Sequence, residues 1–102
     1  MAAIPIACEL TDKELQRRRK EYLSKMAASL TAVEELDDGF RYRFPLGEKT
    51  LSDLAEIIDL ERKCCPFLSF KLALAAGEEA LSLELTGPDG TKEIVKSLFG
   101  WN

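Results

Sequence analysis

Phe40-Arg41-Tyr42-Arg43-Phe44 is the stretch that decides the fold. Three aromatic rings alternate with two arginines. Side chains on a strand point to opposite faces in turn, so this segment is a strand with one apolar face and one charged face. Pro45 ends it. Asp37-Asp38-Gly39 before it is turn chemistry, with Gly39 expected to supply a positive φ. Thr31 to Leu36 is then the weaker return strand of a hairpin. The same two-residue rhythm comes back at Leu81, Leu83 and Leu85, after a turn at Gly77-Glu78-Glu79. Its hairpin partner is Phe67 to Leu74, with Leu68, Phe70, Leu72 and Leu74 on one face.

Around these hairpins the apolar spacing becomes helical. Leu15, Tyr22, Met26 and Leu30 mark a helix over 12–29, with Thr11 as its N-cap and Glu14 at the capping-box position. A second helix fits 51–65 and is closed by Pro66. Gly87-Pro88-Asp89-Gly90 is a loop. A last helix carries Ile94, Val95, Leu98 and Phe99, with Gly100 where a C′ glycine belongs. The order helix, hairpin, helix, hairpin, helix repeats weakly at an offset of 41: Leu10-Thr11-Asp12 aligns with Leu51-Ser52-Asp53.

The fold class is therefore α+β, in the order αββαββα, as one domain over 1–102. A four-stranded, largely antiparallel sheet has helices on one face. The other face carries Arg41, Arg43, Ser69, Lys71, Ser82 and Glu84, and suits either water or a polar dimer surface.

The 102 residues are 46% hydrophobic and 31% charged, a composition that supports a packed core. The net charge of −4 argues against a nucleic-acid partner. The single basic run, Arg17-Arg18-Arg19-Lys20, offers helical pairs Glu14–Arg18 and Arg17–Glu21, and reads as a solvated face; a partner- or phosphate-binding patch is the alternative. No apolar run approaches ~18 residues, so no membrane span is expected. Met1–Ala7 lacks the charged start of a signal peptide. The cytoplasm, with reduced thiols, is the expected compartment. The absence of histidine removes the commonest general base and metal ligand.

What chemistry remains lies in Cys8, Cys64 and Cys65. On a helical wheel Leu54, Ile58 and Cys65 centre the apolar arc of the second helix, and Ile57 and Cys64 edge it. Glu61 falls inside the same arc, where a carboxylate needs a partner. Phe67 and Leu68 are the expected apolar rim. A Cys64–Cys65 disulfide does not suit neighbours about 3.8 Å apart at Cα. The end of a helix and the nearby Glu61 both disfavour a thiolate at this pair, whereas Cys8 stands just before a helix start. Three readings compete: buried structural cysteines, soft-metal or metalloid binding through the thiols, and thiol redox or nucleophilic catalysis.

Glu61-Arg62-Lys63-Cys64-Cys65-Pro66-Phe67, followed by alternating Phe70 and Leu72, resembles the Glu-X-X-Cys-Cys-Pro-Phe core of a small bacterial domain of uncharacterised function. Cys8-Glu9-Leu10-Thr11 is similar to that domain's upstream Cys-X-Leu-Thr, and Thr86-Gly87-Pro88 to its downstream turn. The likeness spans roughly residues 8 to 99. Some members are fused behind DNA-binding regions of the mercury-resistance-regulator type, so the resemblance implies effector sensing. It also implies Cys8, Glu61, Cys64 and Cys65 as the site.

The expected function is a non-enzymatic thiol-based module that binds or senses a soft metal or metalloid ion, its cofactor otherwise unknown. The alternative is a structural interaction module with buried cysteines, working as a homodimer, and the third is a thiol redox enzyme. The three-thiol site requires the first two helices to pack antiparallel, which brings the start of one beside the end of the other.

Overall fold

The structure is a computed structural model that describes residues 12–99. Asp12 opens the first helix, α1 (Lys13–Ser29): its carboxylate accepts the backbone N–H of Glu14 at 2.9 Å and of Leu15 at 3.2 Å. The cap is therefore Asp12 rather than Thr11, which lies outside the described residues. The remaining elements are β1 (Ala32–Leu36), β2 (Gly39–Pro45), α2 (Thr50–Cys64), β3 (Ser69–Ala73), β4 (Ala80–Thr86) and α3 (Thr91–Phe99). The strands form one sheet in the order β1-β2-β4-β3, antiparallel throughout. This is the expected αββαββα architecture.

The two alternating segments meet at the centre. Phe40, Tyr42 and Phe44 of β2 stand opposite Leu85, Leu83 and Leu81 of β4, and all six are buried. Leu23 and Met26 of α1, Leu54 and Ile57 of α2, and Val95 of α3 complete that core. The apolar faces dictate the layering, since only stacking helices on one side of the sheet removes both sets from water. No helix of the described residues is long and apolar enough to cross a membrane.

Two local expectations change. Gly39 does not take a positive φ; among the described residues Gly77 (80°) and Gly90 (95°) do. Gly39 is needed for close approach instead, because a Cβ there would sit 1.7 Å from the Leu85 carbonyl oxygen. β3 is also shorter than 67–74. Phe67 and Leu68 are buried ahead of it, and Leu74 beyond it is half exposed.

Helices α1 and α2 pack antiparallel. Arg19, early in α1, pairs with Glu61, late in α2. Lys25, later in α1, pairs with Asp53 near the start of α2 at 3.0 Å. The buried residues of α2 are Asp53, Leu54, Ile57, Leu60, Glu61 and Cys64, with Ile58 only partly covered. The centre of the arc is thus turned from Ile58 towards Ile57, because α2 packs against α1 along its flank as well as against the core.

Candidate functional site

Chemistry concentrates in the last turn of α2. Pro66 disfavours the helical region for the residue before it. Accordingly α2 stops at Cys64, and Cys65 is the C-cap at φ −124°, ψ 76°, its N–H donating to the Glu61 carbonyl at 2.6 Å. The turn folds Glu61, Cys64 and Cys65 inward together. All three side chains are wholly buried, and one ligand atom from each lies within 4.8 Å of the others. Phe67 and Leu68 bury themselves alongside, as the rim the sequence suggests.

Glu61 has the partner its position demands. Arg19, itself largely covered, forms an ion pair with the Glu61 carboxylate. Burial pushes the Glu61 pKa up, and the adjacent guanidinium opposes that rise. The basic run is therefore not uniformly solvated: Arg17 pairs outside with Glu14 at 3.0 Å, while Arg19 turns inward. This differs from the expected Glu14–Arg18 and Arg17–Glu21 pairs. The signal for Arg19 is in its spacing, four residues before Leu23 and seven before Met26, the two buried residues of α1. It sits on the apolar stripe, as Glu61 does on α2, and the two charges meet across the helix pair.

The two sulfurs differ in state. Cys65 is a free, buried thiol. Burial first, and the Glu61 charge second, push its pKa up to about 12, so at neutral pH it is protonated. It donates to Glu61 Oε2 at 3.8 Å and points at Cys64 Sγ at 3.7 Å. Cys64 is disulfide-bonded. The 3.7 Å separation far exceeds an S–S bond of about 2.05 Å, so the neighbours are not bonded to each other. An oxidised Cys64 departs from the expectation of three reduced thiols. Cys8 lies outside the described residues. The antiparallel helix pair required for its approach is present.

Three consequences follow for chemistry. A thiolate, not a disulfide sulfur, is the ligand for a soft ion, so the trio serves as a donor set only when Cys64 is reduced. The sulfur spacing then fits an ion held at an angle: with about 2.3 Å to each sulfur, 3.7 Å between them corresponds to about 107° at the ion. That is a bent chelate rather than a linear one. Finally, a thiol whose pKa lies well above neutrality is the reverse of an activated nucleophile, which weighs against the thiol-enzyme reading. In comparison with protein-family models, curated proteins and solved structures, nothing matches the chain.

Proposed function

We propose that this chain is a thiol-based binding module for a soft metal or metalloid ion, with Cys64 and Cys65 as ligands in the reduced state, Cys8 as the third thiol and Glu61 as a supporting carboxylate. The observation that carries this reading is the buried convergence of Glu61, Cys64 and Cys65 within 4.8 Å. Soft cations select thiolates, whereas calcium and magnesium demand many oxygens. Charge supports it too. Arg19 already balances Glu61, so two thiolates would balance a divalent ion and three a trivalent metalloid, leaving no net charge in a buried site. Cys8 is four residues from Asp12, a span of at most about 14 Å, and α1 starts at the end of the helix pair where α2 stops. The resemblance to the Glu-X-X-Cys-Cys-Pro-Phe domain favours the same residues.

A second reading has its own support. Cys64 and Cys65 are fully buried within the core and Cys64 is disulfide-bonded, which is how structural cysteines look. Titration of the phosphine-reduced protein with cadmium or arsenite separates the two. Ion binding predicts one ion per chain, a thiolate-to-metal absorption band, and weaker binding after Cys8→Ser, Cys64→Ser or Cys65→Ser. Glu61→Gln should have a smaller effect. Absence of binding by the reduced, folded protein at micromolar ion would leave the structural reading.

A further inference from the structure

The sheet face turned away from the helices carries a row of charge that crosses all four strands. In register it reads Glu34 on β1, Arg41 on β2, Glu84 on β4 and Lys71 on β3. Each neighbour in the row is an ion pair: Glu34–Arg41 at 2.9 Å, Arg41–Glu84 at 3.0 Å and Lys71–Glu84 at 3.7 Å. The signs therefore alternate from one edge of the sheet to the other. Glu34 and Lys71 at the two ends stay open to water, with side-chain exposures of 54% and 76%.

Such a row is antisymmetric about its middle, and this gives it a definite complement. A two-fold axis parallel to the strands, midway between β2 and β4, lays a second copy of the face on the first with the strand order reversed. Glu34 then faces the partner's Lys71, and Arg41 faces the partner's Glu84. Every charge in the row meets its opposite. The other in-plane two-fold, perpendicular to the strands, lays each charge on its own kind and is repulsive. The rows that flank it read Ala32, Arg43, Ser82 and Ala73 on one side and Leu36, Gly39, Thr86 and Ser69 on the other. About the two-fold parallel to the strands, Arg43 stands opposite the partner's Ser82 rather than a like charge. Apart from Arg43 and Leu36 these neighbours are short, and facing sheets pack about 10 Å apart.

We infer that the open sheet face is a homodimer interface, in which a second copy of this chain docks face to face about the two-fold parallel to the strands. Electrostatic complementarity selects the partner and the register. The face is small. Four strands about 4.8 Å apart and roughly six residues long at about 3.3 Å each give on the order of 400 Å² of flat area per copy, at the low end for specific interfaces. The dimer is consequently weak and reversible, and its affinity falls with ionic strength as screening shortens the reach of the charges.

Sedimentation equilibrium of the full chain from about 1 μM to 1 mM tests this. Wild-type protein should dimerise within that range, more weakly at ~0.5 M salt than at ~0.05 M. Glu34→Lys and Lys71→Glu each turn two attractive contacts of the dimer into repulsive ones and should weaken it roughly tenfold or more. An equimolar mixture of the two variants should recover dimer, because the lysine introduced in one chain then meets the glutamate introduced in the other. Circular dichroism checks that both variants fold. A wild-type chain that stays monomeric at ~1 mM overturns the inference. So do variants that dimerise like wild type, or a mixture of two folded variants that fails to recover. The salt series on wild-type protein stands even if a variant does not fold, and a dimer indifferent to salt also overturns it.

Discussion

Replacing Arg19 with methionine leaves the Glu61 carboxylate in a wholly buried position without its counter-charge. Removing one member of a buried ion pair typically costs about 3–5 kcal/mol. The Arg19 side chain keeps 14% of its exposure, so some water reaches the gap, and the lower end of that range, about 3 kcal/mol, is expected here. A domain of this length is stable by about 5–15 kcal/mol in total, and such a loss lowers Tm by about 12–24 °C. The pH dependence identifies the cause. The ordinary Glu61 value is 4.5, and burial raises it in the folded protein. Without Arg19 it rises further. Between the two values the folded variant holds a proton that the unfolded chain has released, so the deficit is largest above both and shrinks as pH falls through the folded pKa towards 4.5. Urea denaturation of wild type and Arg19→Met at a series of pH values reads this directly. Adding Glu61→Leu should restore most of the loss, because an apolar pair often replaces a buried ion pair at little cost. A single variant within ~1 kcal/mol of wild type at neutral pH, or a double variant no better than the single one, would refute the role given to the pair.

Two further outcomes are expected. Phe44→Ala should lower stability by roughly 3–5 kcal/mol in chemical denaturation, since the ring is fully buried between the sheet and the helices; a loss under ~1 kcal/mol would contradict that core position. Alkylation of Cys65 in the native, unreduced protein should be negligible at neutral pH and climb about tenfold per pH unit without levelling off before its raised pKa of about 12; a plateau near pH ~8.5 would show a thiol that is neither desolvated nor beside a charged Glu61.

Much of the architecture was legible in residue order alone, and the reason is periodicity. Strict alternation at Phe40–Phe44 and Leu81–Leu85 has one solution in which both apolar sets leave water, and the antiparallel pairing of β2 with β4 is that solution. Pro66 likewise stops α2 by local sterics, which places Cys64 and Cys65 at its end whatever surrounds them. Local patterns say much less about which elements face each other. Glu61 was visible as a carboxylate in need of a partner. That the partner is Arg19, 42 residues away, depended on α1 lying antiparallel along α2. The same packing turned the α2 stripe from Ile58 towards Ile57, and it raised the Cys65 pKa more by burial than by the carboxylate that the sequence reveals. The role of Gly39 also escaped a turn-based reading, because what forbids its side chain is the Leu85 carbonyl of a strand 46 residues on. Residue order carries short-range sterics and the sorting of apolar from polar faces. Charge pairing, close backbone approach and desolvation depend on neighbours supplied from elsewhere in the chain, and these tertiary structure alone decides.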